Sequence, residues 1–268
     1  MAKKNPLPRE IAPGVFWLGD CLEQEHKGKT YHSYNAAFLL VGEDASMLVE
    51  TGHPKDFPEI ERQMIELLSD DRPPLKYLFI THQETPHSGG LGRVLQNWPG
   101  VTVHGDIADY HLAFPQHADQ LQAMEVGDEI DLGGRKLVAV EPVIRDLRTS
   151  LWAFDTGANV LFPGDGFAYS HYHWDGHCGC VAEEAESLDL QDVLAVFAER
   201  ALYWTTTTDM NIYVDKLEEL MAELDVKIVA PTHGLPVTNL AVTMPKVRDG
   251  LIAEGDPDLT AKAADAAQ

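Results

Sequence analysis

Short uninterrupted apolar runs alternate along this chain with segments whose apolar positions recur every third or fourth residue. Val15-Phe16-Trp17-Leu18, Ala37-Phe38-Leu39-Leu40-Val41 and Met47-Leu48-Val49 read as three early strands, the last pair turned at Gly42-Glu43-Asp44. From Phe57 the period changes. Phe57, Ile60, Met64, Leu67 and Leu68 share one helical face, which predicts a first helix ending near Asp70. A strand at Tyr77-Leu78-Phe79-Ile80, a helix through Leu95, a strand at Val101-Thr102-Val103 and a helix over 106–113 follow. Residues 137–140, 150–154 and 160–162 read as a second set of strands, with turns at 133–134 and 156–159. Leu190, Val193, Leu194 and Phe197 mark an amphipathic helix, Met210, Val214, Leu217, Met221 and Leu224 a longer one, and 227–230 a last short strand. No linker rich in Pro, Gly or Ser divides the two sets. The pattern therefore predicts one α/β domain over 1–250, with two packed sheets flanked by helices. Beyond Leu259 the chain holds only Ala, Asp, Lys, Thr and Gln, so 251–268 is expected to be a frayed tail.

The polar residues of interest stand where apolar runs end. Thr81-His82-Gln83-Glu84-Thr85-Pro86-His87 follows the strand at Tyr77. His82 and Glu84, two apart in extended chain, project the same way, and the turn favoured by Pro86 and Gly89 brings His87 towards them. Histidines five apart with a proline between them exclude the helical zinc motif, which needs a spacing of four. Asp146 precedes Ser150, Asp165 lies in Gly164-Asp165-Gly166 after another apolar run, and His233 lies in Thr232-His233-Gly234 after the last. Singly, such residues are more often turn-formers or caps. Together they form a metal-ligating series of imidazoles and carboxylates. His171, His173, His177, Cys178 and Cys180 follow Asp165 without a standard zinc spacing.

Charge narrows the function classes. With 43 acidic against 20 basic residues, net −23, the chain repels a nucleic-acid backbone or an anionic membrane. No apolar stretch approaches a membrane span, and the basic N-terminus has no apolar core behind it, so the expected location is cytoplasmic. Three cysteines without a secretion signal do not make a disulfide framework. Gly89-Gly90-Leu91-Gly92 lacks the lysine and spacing of a phosphate loop.

The series T-H-x-E-x-x-H, S-L-W-A-F, N-V-L-F-P-G-D and A-P-T-H-G, spanning about Gly14 to Val237, resembles the metallo-β-lactamase superfamily. That resemblance implies an αββα sandwich with metals at its strand ends. Leu48-Val49-Glu50-Thr51-Gly52 is similar to the superfamily's early strand and turn, with Glu50 where Asp is usual. Glu84 in place of a second histidine resembles the flavodiiron proteins and related oxygen-binding di-iron proteins, as do Tyr34-Asn35-Ala36 and residues 230–234.

Two positions depart from that family: Pro86 stands where an Asp binds the second metal, and Asp146 where a His is expected. The exchange keeps three carboxylates. The resemblance then implies two metal ions, iron first, with Fe/Mn or zinc as alternatives. His82, Glu84 and Asp146 hold one, His87 and His233 the other, and Asp165 bridges them. Arg145 or Glu141 in the register of Asp146 is the alternative. His171 is implied to lie near the metals or the substrate pocket. The implied function is a di-iron oxidoreductase acting on dioxygen or a small-molecule substrate. Because the sequence after His233 is short for a flavodoxin-like domain, a separate electron-donor protein is expected. The alternative is a metallohydrolase of esters, thioesters or lactams that uses a metal-bound hydroxide. Oligomeric state, a homodimer included, is left open.

Overall fold

The computed structural model describes residues 6–68, 71–172, 178–185 and 190–255. The chain opens with β1 (Arg9–Ala12), β2 (Val15–Leu18), a hairpin of β3 (Cys21–His26) and β4 (Lys29–Tyr34), then β5 (Ala37–Val41) and β6 (Ser46–Val49). Helix α1 (Phe57–Leu67), β7 (Leu75–Ile80), α2 (Thr85–Ser88), α3 (Leu91–Asn97), β8 (Thr102–Gly105), α4 (Tyr110–Ala113) and β9 (Leu121–Ala123) follow. Apart from the β3-β4 hairpin, these strands form one sheet in the order β1-β2-β5-β6-β7-β8-β9. The second sheet is β10 (Glu129–Asp131), β11 (Lys136–Val140), β12 (Trp152–Asp155), β13 (Val160–Phe162) and β14 (Ile228–Val229), in that order. Helices α5 (Leu190–Ala198) and α6 (Asn211–Glu223) connect β13 to β14, and α7 (Leu240–Glu254) comes last.

Alternation along the strands explains why so many of them read as unbroken apolar runs. In β2, Val15 and Trp17 join Phe38, Leu40, Met47 and Val49 in the core between the sheets. Phe16 and Leu18, with Leu39 and Leu48, face the other way onto Phe57, Ile60 and Met64 of α1 and Leu91, Val94 and Leu95 of α3. Successive side chains point to opposite faces, and both faces are covered, so no polar position interrupts the run. On the second sheet Leu137, Ala153 and Phe162 face this core, with the Phe162 ring centroid 5.3 Å from that of Phe38. Trp152, Phe154 and Leu161 point to the other face, and Val214, Leu217, Val247 and Leu251 of α6 and α7 belong to the same apolar cluster. Each large apolar side chain buried here contributes roughly 1.5–3 kcal/mol. This is the expected αββα sandwich.

The pattern misses β1, β9 and β10, and with them β3, β4, α7 and the short α2. β3 and β4 mix charged and half-buried residues and give no apolar run. α7 carries Pro245 inside it, which obscures its stripe, although Val247 and Leu251 are buried. It also runs through 251–254, part of the segment expected to fray; residues 256–268 lie outside the description. The segment read as a loop around Pro86 contains one helical turn, α2, with Pro86 in its first turn. There a missing N–H leaves no hydrogen bond unmade. Among the described residues no helix is long and apolar enough to cross a membrane.

Topology sets where the polar residues meet. β6, β7 and β8 run parallel, as do β13 and β14, while β12 is antiparallel to both β11 and β13. The C-terminal ends of β11, β13 and β14 therefore gather at one edge of the second sheet. Backbone hydrogen bonds tie that edge to the first sheet: Leu151 N–H donates to the Thr81 carbonyl at 2.8 Å, and Ala36 N–H to the Thr232 carbonyl at 2.9 Å.

Candidate metal centre

His82 leaves β7 in a buried loop, with Nδ1 3.0 Å from Thr81 Oγ1 and Nε2 3.2 Å from Asp146 Oδ2. Asp146 is oriented locally. Its Oδ1 accepts the Leu147 N–H at 2.7 Å and the Ser150 hydroxyl at 3.1 Å, which leaves Oδ2 presented to His82. The two alternatives in this register face elsewhere: the Arg145 guanidinium pairs with Glu141, an exposed residue. The Arg145 carbonyl accepts Trp204 Nε1–H at 2.8 Å. Glu84, at the N-cap of α2, completes a first group. Ligand atoms of His82, Glu84, Asp146 and Asp165 all lie within 4.8 Å of one another.

The single turn of α2 folds His87 back over His82, with ring centroids 3.7 Å apart. His87 Nε2 lies 3.1 Å from Asp165 Oδ1, and its Nδ1 lies 3.2 Å from Glu50 Oε1. On the far side, His233 Nε2 is 3.4 Å from the same Asp165 oxygen. His233 Nδ1 donates to the Tyr34 carbonyl at 2.7 Å. A carbonyl carries no proton, so this bond fixes the tautomer and leaves the Nε2 lone pair facing Asp165. Asp165 thus stands between the two halves of the expected set. The preceding Gly164 has φ +54°, and a Cβ there would meet Thr81 Oγ1 at 2.6 Å, so a glycine is required at that position.

His87 groups with His82 and Asp165, and His233 adjoins the group both at Asp165 and by an edge contact with His87, ring centroids 5.5 Å apart. The α2 turn places His87 between His82 and His233, nearer to His82.

The charges follow from burial and proximity. Burial alone raises the Asp165 carboxyl, but His233 and His87 outweigh it and hold the group well below the usual carboxylate range. Burial lowers His87, yet Asp165 and Glu50 on its two nitrogens outweigh this and push it up to about 10. Burial, reinforced by His87, lowers His82 and His233. Glu84 is raised by burial and then by Asp146 and Asp165. Without a metal the site therefore holds two neutral imidazoles and one imidazolium between carboxylates.

The donor set can be tested for fit to a metal. His82 Nε2, His87 Nε2, Asp146 Oδ2 and Asp165 Oδ1 are buried and close to one another, yet none is in hydrogen-bond geometry. One such orphaned atom costs roughly 1–3 kcal/mol. Four aimed into one volume are what a cation satisfies, and nitrogen and oxygen donors without sulfur suit a hard or borderline ion. The residues fit.

Several supporting residues escaped the sequence reading. Glu50, 1% exposed and at φ +62°, accepts the Thr81 hydroxyl and orients His87. Its signals were a carboxylate directly after a buried strand and its place in the superfamily's early turn where Asp is usual. Asp106 accepts Gln83 Nε2–H at 3.1 Å and the Thr149 hydroxyl at 2.7 Å, joining the His82 and Asp146 loops. His171 is buried and stacks on Tyr34 with centroids 5.9 Å apart, so it reaches the centre through the residue that holds His233. His173 and His177 lie outside the described residues.

Comparison with known proteins gives concordant results. Coenzyme F420H(2) oxidase of Methanothermobacter thermautotrophicus is 26% identical over 240 residues, covering 84% of this chain and 56% of that protein. A nitric oxide reductase of Moorella thermoacetica is 24% identical, covering 85% of this chain and 57% of the relative. The chain thus spans little more than half the length of these relatives. Among solved structures, the flavodiiron protein from Giardia intestinalis superposes with a TM-score of 0.69 at 17% identity, over 94% of this chain and 60% of its own. Rubredoxin oxygen:oxidoreductase from Desulfovibrio gigas gives 0.67 at 18%, over 93% and 62%. These two likenesses concern the fold. The model of the metallo-beta-lactamase superfamily matches residues 32–233, a span that contains all six residues of the centre, and the chain belongs to that superfamily.

Proposed function

We propose that this chain is a non-haem di-iron oxidoreductase that binds and reduces dioxygen. The observation that carries the reading is the group formed by Glu84, Asp146 and Asp165 around His82. Three carboxylates against one imidazole harden this half of the centre towards iron or manganese, whereas an imidazole-rich set suits zinc. His82, Glu84 and Asp146 would hold one ion, His87 and His233 the other, and Asp165 would bridge them. Bound iron would supply the redox chemistry. The chain's own part is to fix the donors: Glu50 holds Nδ1 of His87, the Tyr34 carbonyl holds Nδ1 of His233, and Ser150 turns Asp146. Names of the similar proteins support the reading, since they include an oxidase, a nitric oxide reductase and an oxygen:oxidoreductase. Two of those names specify a reduced coenzyme and rubredoxin, in keeping with a separate electron-donor protein here. We place the protein in the cytoplasm.

Protein produced in iron-replete cells should contain about two iron, or iron and manganese, atoms per chain and show a ligand-to-metal absorption band that responds to azide and oxygen. Two tightly held zinc ions with esterase turnover, and no oxygen-linked spectral change, would replace this reading with a metallohydrolase.

The exchange of Pro86 and Asp146 is also testable. Asp146→Ala should weaken the ion held with His82 and Glu84 by at least about 10–100-fold and leave the one at His87 and His233. Metal titration followed by competition with a chelator measures both. Unchanged binding of two ions would remove Asp146 from the ligand set.

A further inference from the structure

Away from the metal centre, two thiols meet on the β3-β4 hairpin. Cys21 opens β3 opposite Tyr34 of β4. Its Sγ lies 3.5 Å from His32 Nδ1 and is in hydrogen-bond contact with the Cys178 thiol and the Tyr34 hydroxyl. The Tyr34 hydroxyl in turn accepts the Gly179 N–H at 2.8 Å, which holds the 178–179 turn against the hairpin. None of the three cysteines of the chain is in a disulfide.

We infer that Cys21 and Cys178 form a peroxide-responsive dithiol that closes into a disulfide and reopens with a thiol reductant. Burial, and then the neighbouring Cys178, raise the Cys21 thiol far above its ordinary value, so Cys21 keeps its proton and Cys178 is the attacking sulfur. The Cys178 sulfur attacks hydrogen peroxide, the O–O bond breaks and Cys178 becomes a sulfenic acid, and the departing hydroxide takes the proton that Cys178 gives up and leaves as water. Cys21 sulfur then displaces hydroxide from Cys178, forming the S–S bond. The Cys21 proton goes to the leaving hydroxide as a second water, and His32 Nδ1, 3.5 Å from Cys21 Sγ, is placed to relay it. Two thiols are oxidised and one peroxide is reduced. The new bond joins the hairpin to the segment after His171 and braces Tyr34 from a second side. The carbonyl of Tyr34 holds His233, so the bond would stiffen one support of the metal centre.

The test treats the isolated protein with hydrogen peroxide, alkylates remaining thiols under denaturing conditions, and maps the peptides by mass spectrometry. Free thiols should fall from three to one, the mass by two hydrogens, and the linked peptides should contain Cys21 and Cys178. Dithiothreitol should restore all three. Cys180→Ser should leave the link intact, whereas Cys21→Ser should stop the reaction at a sulfenic acid on Cys178 that dimedone traps. A link between Cys178 and Cys180, sulfinic acid without any link, or three intact thiols in the parent protein would each overturn the inference.

Discussion

Asp165→Ala empties both halves of the metal centre at once. Asp165 lies within reach of the oxygen-rich group and of His87 and His233 together, at 3.1 Å and 3.4 Å from the two histidines. Loss of a supporting residue around a metal typically costs 10–100-fold in affinity, and loss of a shared ligand should exceed about 100-fold for each ion. The metal-free protein suffers too. His87, fully buried and cationic, would keep Glu50 as its carboxylate partner but lose the other, and breaking a buried pair of this kind costs about 3–5 kcal/mol. Elemental analysis after dialysis and the Tm of the metal-free variant give separate readings of the two effects. A full metal complement in Asp165→Ala would show that Asp165 is no ligand, whatever happened to Tm.

The second large effect is on pH dependence, and His87 carries it. Between its unfolded value of 6.5 and its folded value of about 10, the folded metal-free protein binds a proton that the unfolded chain does not. The stabilisation is complete below pH 6.5 and lost as pH rises to about 10, and at ~1.4 kcal/mol per pH unit it amounts to about 5 kcal/mol at most. His82 and His233 act in the opposite sense. Their folded values lie below 6.5, so their contribution is lost as pH falls through that value. The metal-free site is therefore most favourable to folding near pH 6.5. Metal binding must expel the His87 proton, so apparent affinity should rise about tenfold per pH unit from 6.5 towards 10. Tm of the metal-free parent, compared across pH with His87→Gln, isolates the contribution of His87. Glu50→Gln should pull the upper end of the window down, because one of the two carboxylates that hold the proton is gone. A pH-independent difference between parent and His87→Gln would mean that His87 is neutral in the folded protein.

What the sequence by itself determined was the order of elements and the inventory of donors. Both are local properties. Apolar runs of two to six residues, and helical stripes such as Phe57, Ile60 and Met64, are written in neighbouring positions, and the residues after each run can be read directly. Elements whose burial is mixed, such as β3 and β4, or whose stripe carries an internal proline, such as α7, leave no such trace and were not legible. The αββα arrangement followed from two strand sets with helices between them, and the superfamily from motifs at the strand ends.

Only the tertiary structure decided which donors meet and how each is held. Whether Asp146, Arg145 or Glu141 faces His82 depends, beyond the local hydrogen bond from Ser150 to Asp146, on Leu151 pairing with Thr81 across two sheets, a contact between segments about 70 residues apart that no local pattern encodes. Glu50 looked like part of a turn. It became a partner of His87 only because β6 and β7 run side by side in parallel and bring the ends of both strands together. The placement of His87 between His82 and His233 was set by one turn of helix, which a proline in its first turn permits and the sequence pattern alone could not distinguish from a loop. Proton positions were settled the same way, since a buried imidazole takes its charge from the carboxylates that the fold places on its two nitrogens.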